Sequence, residues 1–337
     1  MARVITAAWR RLALDNAPSA RSSHGLSVIA GKAYLFGGEA KARHAFDSVM
    51  HILDLTTNTP SWQQVGPHAL QAPPPRVAHA QAAVNNKILI FGGRSGVEMG
   101  GEHELNDLWE FDPSKNTWTH LENRMNEPPA PSARSFHAAT SVGDKMYVFG
   151  GCGVDGRLAD LHEYCTTARR WTVLPSPPED VKGRGGAALE ASSDGSSLWL
   201  VGGFAGHETN DLLRFCLRNR SWERKPSDGW LRPRSVCASF STSRALAVFG
   251  GEVSPSDRGH EGAGGFAADL VAFDPHDGAP LDVRVTATDG AASRPPARGW
   301  AASATLSDRE GLVIGGLSGT DAEPVRLDDA WVLELSE

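Results

Sequence analysis

The segment AYLFGG at residues 33–38 returns five more times with small changes: ILIFGG at 88–93, MYVFGG at 146–151, LWLVGG at 198–203, LAVFGG at 246–251 and GLVIGG at 311–316. Each copy is a short apolar run of buried-strand length, stopped by a glycine pair. Downstream of most pairs a second strand begins with an aspartate: DLWEFD at 107–112, DLHEY at 160–164, DLLRF at 211–215 and DLVAF at 269–273. A strand carrying a tryptophan follows, at Trp62, Trp118, Trp171 and Trp222. Upstream of each pair sits an arginine turn, at Arg21, Arg76, Arg134, Arg184, Arg234 and Arg298. One unit therefore supplies four short strands separated by Gly, Pro and Asp turns. A single sheet of this kind cannot bury both faces, whereas sheets arranged radially pack face to face and leave only short edges.

The glycine pairs, the aspartate-headed strands, the tryptophans and the arginine turns resemble the kelch repeat, with a period near the ~50 residues of that unit. The resemblance covers essentially the whole chain. It implies an all-β fold, a six-bladed kelch β-propeller forming a single domain over 1–337, with blades near 15–64, 65–120, 121–173, 174–224, 225–286 and 287–336. The sixth unit ends without a tryptophan strand, so the N-terminal strand 3–13, with Trp9, is expected to complete blade six and fasten the ring. The fifth unit has LDVRV near Val283 in place of its tryptophan.

Composition narrows the function. With 33 Lys and Arg against 40 Asp and Glu, the formal charge of −7 argues against non-specific nucleic-acid binding, which needs a basic face. The N-terminal MARVITAAWRRLAL has no apolar run of signal-peptide length, and no segment approaches the ~20 apolar residues of a membrane helix. The four cysteines, Cys152, Cys165, Cys216 and Cys237, form no C-x-x-C pair. Cys165 and Cys216 occupy matching places in two repeats and read as buried strand packing. A reducing, cytoplasmic setting is the expectation.

In a propeller, a residue present at one slot in every blade belongs to the scaffold, while a polar or aromatic residue unique to one blade is a better functional candidate. The six arginines, the shared-slot histidines His24, His79 and His137, and the blade tryptophans fall in the first group. The residues just after the glycine pairs differ from blade to blade: Glu39, Arg94, Cys152, Phe204, Glu252 and Leu317. Arg94 and Arg157 lie in equivalent loops of blades two and three. They can hold an oxyanion through planar, bidentate donors, or they are two solvated surface arginines. The slot between each arginine and the next strand carries Ser23, Ala78, Phe136, Gly186, Val236 and Trp300. Its two large aromatics, Phe136 and Trp300, either line a pocket for an apolar side chain or fill the channel. The loop at 251–266, GEVSPSDRGHEGAGGF, brings Glu252, Asp257 and His260 within ten residues. Two carboxylates and a histidine can supply three ligands to Fe(II) and leave positions open.

That loop, with Arg94, Arg157 and a bare propeller, resembles the specifier proteins of glucosinolate breakdown, which include nitrile-, epithio- and thiocyanate-specifier proteins. The resemblance implies an Fe(II) cofactor on Glu252, Asp257 and His260. Glu252 and His260 match the ends of the family's E-x-x-x-D-x-x-x-H pattern, but its middle position is Ser256 here and the acid is the neighbouring Asp257. It further implies that Arg94 and Arg157 hold the sulfate of a myrosinase-released thiohydroximate-O-sulfate, that Phe136 and Trp300 pack its side chain, and that the product is a nitrile. The partners implied are this small molecule and myrosinase, with no nucleic acid and no membrane. Two other readings stand beside this one: a kelch module that grips a protein partner, and another small-molecule isomerase or lyase on the same face.

Overall fold

The computed structural model describes residues 3–66, 72–97, 103–122, 129–286 and 294–337. Among these residues the chain forms six four-stranded blades around a central channel. Blade one, for example, runs Gly25–Ile29, Lys32–Phe36, Met50–Asp54 and Ser61–Val65 as antiparallel neighbours. The first strands, such as Ala80–Val84 and Ala138–Val142, line the channel with small side chains, because six strands converge there. No helix among the described residues is long and apolar enough to cross a membrane.

Six apolar clusters hold the ring, one between each pair of neighbouring blades. The repeated tryptophans do much of this packing. Trp118 meets Phe36, Trp171 meets Phe91 and Trp222 meets Phe149, each the aromatic before the preceding blade's glycine pair, at 5.1, 5.0 and 5.9 Å. Blade five has no such tryptophan in its outer strand Pro280–Thr286. Its interface with blade four is filled from the other side: Trp199 packs on Phe273 at 5.1 Å and donates its indole N–H to the Pro275 carbonyl.

The N-terminal strand closes the ring as expected. Val4–Arg11 pairs antiparallel with the third strand of blade six, placing Trp9 opposite Leu333 and 4.8 Å from Phe249 of blade five. It also pairs parallel with the outer strand of blade five, over Val4 to Ala8 against Asp282 to Thr286. Blades five and six thereby fuse into one eight-stranded sheet.

The arginine slots are scaffold. In all six blades the guanidinium donates to the carbonyl of the first glycine of the pair, at 2.9–3.1 Å. In blades two to six it also pairs with the aspartate heading the third strand, as in Arg76 with Asp107 and Arg298 with Asp329. These arginines are buried, so removing one partner strands a charge and costs about 3–5 kcal/mol. His24, His79 and His137 are buried as well, and burial holds each imidazole down to about 3. The His137 Nε2 meets the Phe91 carbonyl of the preceding blade at 3.1 Å. Cys165 and Cys216 differ from expectation: both are half-buried at the ends of third strands, where the blade edge reaches solvent, and the Cys165 thiol donates to Asp144.

Candidate functional site

The slot holding Ser23, Ala78, Phe136, Gly186, Val236 and Trp300 forms a closed ring of backbone hydrogen bonds. Each residue's N–H donates to the carbonyl of its counterpart in the preceding blade: Ala78 to Ser23, Phe136 to Ala78, Gly186 to Phe136, Val236 to Gly186, Trp300 to Val236 and Ser23 to Trp300, all at 2.7–2.9 Å. Every member has positive φ, between 47° and 63°. Only Gly186 adopts this conformation without steric cost. The other five, including β-branched Val236, are held there at about 1–2 kcal/mol each. Six interlocking bonds keep the strained backbone in place, and the ring narrows the channel.

Above this ring lies a cavity of about 280 Å³. Its floor includes Phe136, Gly186, Val236 and Trp300, and its wall includes Glu39, Cys152, Phe204, Glu252 and Leu317 from the positions after the glycine pairs. Those positions are fixed by bridges to the neighbouring arginine turns, such as Ser135 with Cys152 and Ser235 with Glu252. The blade-five loop covers one side through Pro255, Ser256, Gly259 and His260. His260 stacks on Phe136 at 5.1 Å and meets Trp300 edge-on at 4.9 Å, and those two rings lie 5.5 Å apart. The two aromatics expected in blades three and six thus share one wall with the histidine. Burial, with Arg43 and Arg94 nearby, lowers His260 to about 4, so the imidazole is neutral at pH 7.

The two candidate arginines separate. Arg157, at the start of the third strand of blade three, lines the cavity and pairs across the hairpin with Cys152. Its guanidinium lies 4.7 Å from the centroid of Phe204, a cation–π contact, and no carboxylate among the described residues pairs with it. Arg94 is fully buried beside Glu104 at 3.9 Å and does not line the cavity, although its charge reaches His260 and Cys152. Arg94 ends the second strand of blade two, packed against Glu104, whereas Arg157 stands across the hairpin of blade three from the equivalent slot.

The proposed metal ligands separate too. Glu252 is buried in the cavity wall, where burial and the nearby Glu208 charge push its carboxyl to about 7 against the Ser256 N–H. His260 faces the cavity, but Asp257 is exposed and does not line it; Ser256 does. No group of three His, Cys, Asp or Glu among the described residues is arranged to hold a metal ion. The donors present therefore do not fit an Fe(II) ion on Glu252, Asp257 and His260. The loop turns between 256 and 257, and only one of the two side chains can face inward.

Phe204, Glu39 and Ser256 are among the cavity residues that the sequence does not offer as site candidates. Phe204 and Glu39 carry a signal, because both follow a glycine pair. Glu39 is held by Ser22 and Ser23 at 3.1 Å and faces Arg326 at 3.6 Å.

The profile of the KLHDC2/KLHL20/DRC7 Kelch-repeats domain matches residues 24–251. The chain is 29% identical over 350 residues to N-(sulfonatooxy)prop-2-enimidothioate sulfolyase of Thlaspi arvense, covering 94% of each protein. It is 32% identical over 169 residues to human host cell factor 1, which takes in 42% of this chain and 8% of that one. The solved structure of YjhT superimposes with a TM-score of 0.73 at 17% identity, over 96% of this chain and 99% of that one. The repeat, the ring of six blades and the profile match agree: the chain belongs to the kelch-repeat family of β-propellers.

Proposed function

We propose that the chain is a specifier-type protein, which receives the thiohydroximate-O-sulfate that myrosinase releases from a glucosinolate and directs it to a nitrile or related product. The observation that carries this reading is Arg157, a cation with no carboxylate partner among the described residues, lying on Phe204 beside an aromatic wall. A molecule with an oxyanion at one end and an apolar group at the other matches that layout. End-to-end similarity to the Thlaspi arvense sulfolyase supports it, since that protein's name describes a sulfonatooxy substrate.

The arrangement favours one bond-breaking pattern. Rearrangement to an isothiocyanate moves the side chain from carbon to nitrogen as sulfate departs. Nitrile formation breaks the N–O and C–S bonds, releases sulfate with the N–O electron pair and sulfur at the zero-valent level as the C–S pair becomes the third C–N bond, and keeps the side chain on carbon. A side chain packed against Phe136 and Trp300 resists migration, while the Arg157 N–H groups take up charge growing on the departing sulfate. Neutral His260 completes the wall without adding a competing charge.

The test is nitrile yield from allyl glucosinolate with added myrosinase. Wild-type protein is expected to raise nitrile above the no-protein control, and Arg157→Ala to reduce that gain. No gain with well-folded wild type refutes the reading and turns attention to a kelch module with a protein partner.

A further inference from the structure

At the opposite end of the channel, beyond the histidines, the first strands of all six blades enclose a second cavity of about 280 Å³. Its polar lining comprises hydroxyls from blades one, three, five and six, the Gln81 amide of blade two and the Glu190 carboxylate of blade four. No Lys, Arg or His among the described residues lines it.

Three of the six hydroxyl hydrogens in this lining are spent on joining blades. Ser141 donates to the Ala83 carbonyl at 2.7 Å, Ser241 donates to that of Ala191, and Thr305 donates to that of Ser241 at 3.1 Å. The Gln81 amide donates to the Tyr34 carbonyl at 2.8 Å. The Ser27 Oγ is buried without a partner among the described residues, and Ser27 is only 4% exposed, whereas the Gln81 Oε1 lies beside the His79 imidazole. Glu190 accepts a hydrogen bond from Ser239 at 2.6 Å, and no cation among the described residues pairs with it. A half-buried carboxylate without a cation and a buried hydroxyl without a partner are each unfavourable in isolation. The missing complement is a positively charged group with several N–H donors.

We propose that this lower cavity is a binding site for a small ammonium-type cation, held by the Glu190 carboxylate with the Ser27 Oγ as a further acceptor. A primary ammonium brings three donors and one charge, which matches this acceptor set. A divalent metal is a poorer match, since only one carboxylate faces the cavity. The site is independent of the specifier reading, because the ring of strained residues and the histidines lie between the two cavities.

Burial pushes Glu190 up to about 7, so its charge is set near neutrality. Among the described residues it is the only titratable side chain in the lining. The thiol of the adjacent Cys237 is pushed to about 11 and stays neutral through pH 8. A carboxyl titrating near 7 goes from about a tenth ionised at pH 6 to about nine tenths at pH 8, so binding should tighten by roughly tenfold across that range.

The experiment is calorimetric titration of the full chain with methylammonium chloride, with ionic strength held constant by tetramethylammonium chloride, which has no N–H. Saturable one-to-one binding is expected at pH 8, about tenfold weaker at pH 6. The near-isosteric Glu190→Gln should weaken it at least tenfold at pH 8 while unfolding at a temperature no lower than wild type. Absence of saturable binding, equal binding by Glu190→Gln, or a pH-independent affinity overturns the proposal. Equally tight binding of potassium overturns the ammonium assignment.

Discussion

Replacing Phe204 by leucine tests how the upper cavity holds an anion. Leucine keeps the position apolar but removes the ring face under the Arg157 guanidinium, now 4.7 Å from its centroid. Arg157 is exposed along much of its length, so the contact belongs at the low end of the cation–π range, about 0.5–1 kcal/mol. The direct loss on Arg157→Ala is larger, because a charge-assisted bond to an oxyanion contributes about 1.5–3 kcal/mol and solvent here trims it toward about 1–2. Benzyl sulfate carries the sulfate and apolar group required without being consumed. Its dissociation constant should rise about 2- to 5-fold in Phe204→Leu and about 5- to 30-fold in Arg157→Ala. The double variant should bind about as weakly as Arg157→Ala alone, since Phe204 acts through the guanidinium. Phe204→Tyr, which keeps the ring face, should restore affinity. Additive losses in the double variant, or no loss in either single one, would refute this account of the anion site.

Ser256→Asp should create a divalent-metal site with Glu252 and His260, both of which face the same cavity, and Fe(II) or Mn(II) titration should show saturable binding that wild type lacks. Trp9→Ala should cost about 3–5 kcal/mol in urea unfolding, because Trp9 is fully buried at the blade five–six junction where the ring closes. Acid should destabilise the fold between about pH 6.5 and 3. The three slot histidines titrate near 3 when folded but near 6.5 when unfolded, so the unfolded chain binds more protons in that window and stability rises with pH. Glu190 and Glu252 act in the opposite sense, because carboxyls raised to about 7 lose stability as pH climbs from about 4.5 to 7. Urea midpoints from pH 4 to 8 check both signs: Glu190→Gln should flatten the upper limb and His79→Gln the lower one.

The six glycine pairs, arginine turns and tryptophan strands are local features repeated six times. Repetition fixes blade number, strand order and the scaffold role of residues such as Arg134 and Trp171 without any long-range information. Closure by Trp9 is legible for the same reason, since only one unit lacked its last strand. The inventory of variable positions after each glycine pair is equally readable, and five of those six residues line the cavity.

Direction and depth are not readable in this way. Arg94 and Arg157 look equivalent along the chain, yet one is buried against Glu104 and the other stands over Phe204. Ser256 and Asp257 are neighbours, and the turn of one loop decides which faces the cavity. Trp199 fills the place of a tryptophan that blade five lacks, which only the packing of two blades could reveal. The sequence by itself determined the ring, because each blade's identity is written within about fifty residues. The tertiary structure decided the site, because its residues come from different blades and meet only where side-chain direction, set by turns and neighbouring sheets, brings them to one mouth of the channel.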